Sequence, residues 1–159
     1  IENGSQLANV GESGYYKLNK DIYLNDTTGL KDWTAEDGPA NIWRPIQSFN
    51  GSFDGNGYMI YGLYTDAEES EQGLFAEILS DAVVKNVVIE KSHVFGTYFV
   101  GAIAGRSWGT VSECTNNGNV TALDEDGYCG GIVGISGALL ENCINNGNII
   151  ISIFNQIFT

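Results

Sequence analysis

A single histidine, two prolines and three cysteines occur among the 159 residues, and seven basic side chains stand against twenty acidic ones. Each scarcity removes a class of function. With His93 alone, neither an H-E-x-x-H zinc site nor any two-histidine metal site can be built. A Ser-His-Asp arrangement would have to recruit His93, and there is no G-x-S-x-G elbow to hold its serine. The net charge of -13 repels nucleic-acid phosphates and anionic headgroups, which argues against nucleic acid as a partner. No stretch approaches the roughly 20 consecutive apolar residues of a membrane-spanning helix, so membrane insertion is not expected. Three cysteines are too few, and odd in number, for a disulfide-stapled scaffold, and are compatible with export from a bacterium.

What is abundant is glycine, 21 residues of it, with charged residues at only 17%. That profile suits many short strands and turns rather than helices or disorder. The length allows one well-buried core and not two comfortable domains.

Internal repetition is the strongest feature. Residues 101–120, GAIAGRSWGTVSECTNNGNV, align without a gap on residues 130–149, GGIVGISGALLENCINNGNI, at an offset of 29. An earlier, more divergent copy places GLFA (73–76) 29 residues before AIAG (102–105), and VKNV (84–87) 27 residues before VSEC (111–114). Each copy holds two short apolar runs separated by Gly, Asn and Ser clusters, with no sustained helical spacing. A unit this small cannot bury its own apolar face, so the copies must stack. The expectation is an all-β, right-handed parallel β-helix of about four coils with an N-terminal capping segment. Successive coils would lie about 4.8 Å apart, so equivalent residues form columns. Cys114 lies over Cys143, Asn116 over Asn145, Asn117 over Asn146 and Asn119 over Asn148. On this basis Asn146→Leu is expected to cost on the order of 1–3 kcal/mol in lost amide bonding.

The GLFA, AIAG and GIVG cores, each followed by a V/L-x-[NE]-[VC] strand, come after a leading GYYKLNKDIYL (14–24), the run Trp43-Arg44-Pro45-Ile46, and FNGSFDGNGYMIYGL (49–63). This ordered series, over roughly residues 13–150, resembles the GLUG-motif repeats of bacterial surface proteins. Ala76 and Ala102 depart from the glycines usual at those motif positions, which puts close packing there in question. The resemblance implies an exported, extracellular β-helix at the bacterial cell surface or secreted, belonging to a large modular protein such as the non-catalytic parts of some immunoglobulin-A peptidases. It does not imply one function. The first residue, Ile1, and the apolar ending NIIISIFNQIFT also suggest a piece of a longer chain, organised as a single β-solenoid with a leading and capping region over 1–50 and stacked coils over 51–159.

NGSFDGNGYMIYGL (50–63) could be a site or a set of turns. As an EF-hand loop it fails, because counting from Asp54 the fifth position is Tyr58 and the twelfth is Thr65, where oxygen ligands are required. As a phosphate loop it lacks the lysine. It reads as a corner at Asp54 to Gly57 leading into the first full coil. Other acids cluster in loop-like AEDG (35–38), AEESE (67–71) and LDEDG (123–127), where solvated charge is the plain reading and Asp124, Glu125 and Asp126 form at most a weak Ca²⁺ site. No other cofactor is expected. The cysteines read as small core residues with free thiols, because adjacent in-register stacking gives a Cys114–Cys143 disulfide poor torsions.

Aromatic residues carry the binding hypothesis. Trp108, in RSWG beside Arg106, and Trp33, in LKDWTAEDG, could offer faces to sugars. The competing structural role is for Trp33 and Trp43 to cover the N-terminal end of the solenoid. The function expected is a non-enzymatic adhesion or display module, with glycans or host extracellular proteins as partners besides the neighbouring domains of its own chain. The alternatives are a carbohydrate-active β-helix enzyme, with acids and bases converging on one face, and a purely structural spacer.

Overall fold

The computed structural model describes residues 1–152. Short strands dominate, and among the described residues almost no helix is present beyond α1 (Gly4–Ala8) and one 3-10 turn at Leu30–Asp32. The chain winds into a parallel β-solenoid of about three full turns, in which every strand pairs with its equivalents one turn away. Two partial levels come first, carrying β1 (Tyr15–Lys17) and β2 (Ile22–Tyr23), then β3 (Ser52–Asp54) and β4 (Met59–Tyr61). The first full turn starts at a bridge from Tyr64 to His93 and holds β5 (Glu71–Gln72), β6 (Phe75–Ile78), β7 (Val83–Lys85) and β8 (Val88–Glu90). The second holds β9 (His93–Gly96), β10 (Phe99–Gly101), β11 (Ala104–Ser107), β12 (Thr110–Ser112) and β13 (Thr115–Asn116). The third holds β14 (Asn119–Ala122), β15 (Tyr128–Gly130), β16 (Val133–Ser136), β17 (Leu140–Glu141) and β18 (Ile144–Asn145), and β19 (Ile149–Ile151) begins another.

The 29-residue unit thus folds as five short strands rather than two longer runs, and five parallel sheets form the sides. The register agrees with the sequence repeat: Phe99 pairs with Tyr128, Ala104 with both Phe75 and Val133, and Val111 with Val84 and Leu140. About three full turns form instead of about four, because the leading segment contributes only partial levels. Stacking nevertheless begins well before residue 51, since Tyr15–Lys17 pair in register with Ser52–Asp54.

Columns fill the interior. Phe53, Val84, Val111 and Leu140 stack in one, and Ile22, Ile60 and Ile89 in another. The second column continues into Asn116 and Asn145, so a fully buried amide stands where isoleucine would serve. Its hydrogen bonds explain how. Asn116 Nδ2 donates to Gly118 O and Asn145 Oδ1, and its Oδ1 accepts from Gly118 N, each at 2.8–2.9 Å. Outside, Asn117 Nδ2 donates to Glu90 Oε2 and Asn146 Nδ2 donates to Asn117 Oδ1. Asn119 Oδ1 accepts from Asn148 N at 3.3 Å. Cys114 is fully buried, Cys129 and Cys143 are half-buried, and all three are free thiols, with burial pushing the Cys114 thiol up to about 12.

Residues 54–57 make a corner between β3 and β4: Asn56 N donates to Asp54 Oδ1 and Tyr58 N to Gly55 O. A Cβ on Gly55 would run into the Asn86 carbonyl, so the glycine is set by the approach of the next coil. Partial burial pushes the Asp54 carboxyl up, but hydrogen bonds from Asn86 Nδ2 and Asn56 N and the charges of Lys85 and Lys17 outweigh it and hold it below its ordinary value. Ala76 and Ala102 fit with their methyl groups buried, whereas at Gly105 a Cβ would stand 2.7 Å from Phe99 O and 3.1 Å from Ala76 O.

Two stability predictions follow from these columns. Because backbone from two sides closes on Gly105, Gly105→Ala should lower stability by about 1–3 kcal/mol in urea unfolding, and an unchanged midpoint would refute the close approach. The amide that matters is the buried Asn116 rather than the exposed Asn146. Asn116→Leu should cost about 1–3 kcal/mol by stranding Gly118 N–H, and Asn146→Leu less than about 1 kcal/mol, so equal losses would contradict the assignment.

Candidate functional site

The outward side chains of β5, β6, β10, β11 and β15 gather on one side of the solenoid. Glu71 and Glu77 both meet Arg106 through the same nitrogen, Nη2, at 2.9 and 3.5 Å. Arg106 pairs with Glu77 by register, and its guanidinium lies 5.4 Å from the centroid of the Phe99 ring. Phe99 stacks in turn on Tyr128 of the next coil, 5.5 Å between centroids and 15° between planes, and Tyr98 packs edge-on against both. Trp108 Nε1 donates to Glu77 Oε1 at 2.9 Å, so one carboxylate ties the indole to the arginine. Register sets this arrangement: the coil spacing stacks flat rings face to face, as in-register columns require.

Stacking also decides which faces stay free. Phe99 is covered by Arg106 on one side and Tyr128 on the other. Trp108 escapes the column because glycine, Gly137, lies beyond it, and a Cβ there would collide with the indole. Trp108 is 40% and Tyr128 46% exposed. Arg106 is only partly accessible and engaged by two carboxylates, so it orients this surface more than it offers a free charge. The sequence reading placed Trp108 and Arg106 here but missed Glu71, Glu77, Phe99 and Tyr128. The 29-residue offset, which sets Glu77 beside Arg106 and Phe99 beside Tyr128, was the signal that could have found them.

Trp33 is a correction. It is 9% exposed and packs edge-on against Tyr64, which packs against Phe95, so its face is not open to a sugar. Nor does it cover the end of the solenoid: the loop carrying it folds over the outer face of the sheet formed by β9, β14 and β19, where Phe95, Ala67 and Leu30 bury apolar area with it. Trp43 lies inside the main core, with its Nε1 donating to Leu74 O at 3.1 Å.

Asp124, Glu125 and Asp126 sit exposed in the loop between β14 and β15. Asp124 Oδ1 accepts from Asp126 N at 2.9 Å, and Asp124 O accepts from Gly127 N, so the turn employs part of their oxygen. Among the described residues no group of three His, Cys, Asp or Glu is disposed to hold a metal ion.

His93 sits on β9, stacked on Phe95 at 3.8 Å, with Nε2 2.8 Å from Thr121 Oγ1. Burial lowers its proton affinity from 6.5 to about 4. As pH falls through 6.5 the unfolded chain takes up the proton first, so the contribution of His93 to stability is complete above 6.5 and is lost progressively down to about 4. Denaturant midpoints measured across this window should fall less steeply in His93→Gln than in the parent. Parallel slopes would mean that His93 is not buried neutral.

Comparison with known sequences finds two relatives. The chain is 32% identical over 130 residues, 80% of its length, to Halomucin of Haloquadratum walsbyi. It is 30% identical over 123 residues, 70% of its length, to a protein of Evansella cellulosilytica described as a Gly-rich membrane protein. It spans 1% of the first protein and 13% of the second, so each likeness concerns a small part of a much longer chain. No family model matches the sequence. No solved structure matches either. Among the described residues, no helix is long and apolar enough to cross a membrane.

Proposed function

We propose that this chain is a non-enzymatic module of GLUG type within a larger bacterial surface or secreted protein, and that it serves adhesion or display outside the cell. The observation that carries the reading is the held but open indole of Trp108, fixed by Glu77 and Gly137 on a solenoid face where Tyr128 offers a second exposed ring. An aromatic ring beside carboxylates suits a sugar, whose C–H face stacks while its hydroxyls donate. Relatives similar over most of this sequence yet many times its length support a modular role. In this reading α1 and the residues around Trp43 close the N-terminal end, keeping its strand edges from pairing with other chains.

The second reading, a carbohydrate-active enzyme, draws on Glu71 and Glu77 converging on one face. Against it, Arg106 Nη2 occupies the space between the two carboxylates, where a paired-acid hydrolysis needs room for the glycosidic oxygen and water. The deciding experiment is a screen of the purified chain against neutral and acidic glycans and host matrix proteins, with and without Ca²⁺. Binding to a neutral glycan should weaken roughly 3- to 10-fold in Trp108→Ala, the loss expected for one stacked ring. Silence across the panel with the fold intact would leave a spacer, and turnover of a polysaccharide lost in Glu77→Gln would establish the enzyme.

A further inference from the structure

Two successive levels of the chain pass the same side of the solenoid by routes of different length. Trp43 and Ile46 bridge to Thr65 and Phe75, so what takes three steps along the chain at the lower level takes ten at the next. The longer passage has room for β5 and the shorter has none. β5 is therefore the outer strand of its sheet, paired with β10 alone.

Between β5 and residues 40–47 lies an open cleft of about 530 Å³. Ile42, Trp43 and Pro45 line one side and Asp66, Glu69 and Glu71 the other, with Arg44 the one base among the lining residues. Gln72 lines it too, is 3% exposed, and its Oε1 is buried without a hydrogen-bond partner. Its side chain turns inward by register with Val100 and packs on Gly96, so that oxygen belongs to the interior and only the Gln72 backbone borders the cleft. The open bonding groups are those of the β5 backbone. Phe99 N donates to Ser70 O at 2.8 Å, and parallel pairing turns successive residues to opposite sides, so the Glu71 N–H and C=O face away from β10, toward the cleft.

We propose that this cleft binds an extended peptide segment bearing lysine or arginine, which adds to β5 as the strand missing from the shorter level. Main-chain hydrogen bonds to Glu71 hold the segment in register. The carboxylates of Asp66 and Glu69 take its cations, while Ile42 and Pro45 receive an alternate apolar side chain. This site meets the Trp108 surface only at Glu71, whose carboxylate faces Arg106 there and whose backbone faces the cleft here, and its ligand is of a different class.

The probe is the peptide acetyl-Lys-Val-Lys-Val-Lys-amide, titrated calorimetrically into the purified chain at low salt. Saturable one-to-one binding is expected, weakening about tenfold or more at high salt and in an Asp66→Asn, Glu69→Gln double variant. Methylating alternate backbone amides of the peptide should weaken it similarly, because charge is kept while strand pairing is lost. Trp108→Ala should leave peptide binding unchanged, so failure of the sugar reading and failure of this one are told apart. Both exposed loop substitutions spare the core, and an unchanged urea midpoint verifies the fold. No saturable binding at low salt, equal binding by a peptide with Glu for Lys, or indifference to amide methylation would overturn the proposal, as would displacement by a glucosamine oligomer that binds more tightly.

Discussion

Hydrogen bonding between successive turns is the constraint on which the rest depends. Each parallel pair sets a side chain over its equivalent one turn away, so the interior is a set of columns and not a freely packed core. Isoleucine on isoleucine in the Ile22, Ile60 and Ile89 column is the simple outcome. Asparagine at the top of that column is the demanding one, since a buried amide is tolerated only with its partners in place. Asn116 finds them in the tight turn at Gly118 and in the amide one coil above.

The same spacing works on the outside, where it binds the columns together and consumes functional groups in doing so. Tyr23 stacks on Tyr61 at 4.6 Å, Glu90 follows by register, and Asn117 and Asn146 extend that column by hydrogen bonds from their side-chain amides. Phe99 and Tyr128 cover each other in the same way, and Arg106 is held by two glutamates from the coil before it. A regular solenoid therefore offers fewer free aromatic faces than its sequence suggests. Trp108 is left open because the repeat changes to glycine at the position above it.

Departures from the repeat are where the surface acquires shape. The loop carrying Trp33 lies across a sheet and builds a second small apolar cluster with Tyr64 and Phe95. The shortened passage from Trp43 to Ile46 leaves one edge of β5 without a neighbour and opens a cleft beside it. Both features arise in the leading region, before the 29-residue repeat becomes regular.

The sequence by itself determined the repeat length, the all-β class and the partners within the columns, because a periodic chain that cannot bury its own face must stack in register with itself. The pairing of Cys129 with Val100 was legible for the same reason, and the corner at Asp54 to Gly57 from its turn-forming residues. Tertiary structure decided what periodicity does not encode. It turned the regular repeat into five short strands, since the bends depend on where backbone closes on glycine, as at Gly109 between β11 and β12. It buried Trp33, whose loop has no repeat to place it, and it distinguished the sealed Asn116, which turns into the interior, from the exposed Asn146, which stacks on the equally exposed Asn117 and turns outward. The surface joining Glu71, Glu77, Arg106, Phe99, Tyr128 and Trp108 lies between these extremes: the 29-residue offset specifies its pairs, but the direction in which each ring faces is a matter of packing.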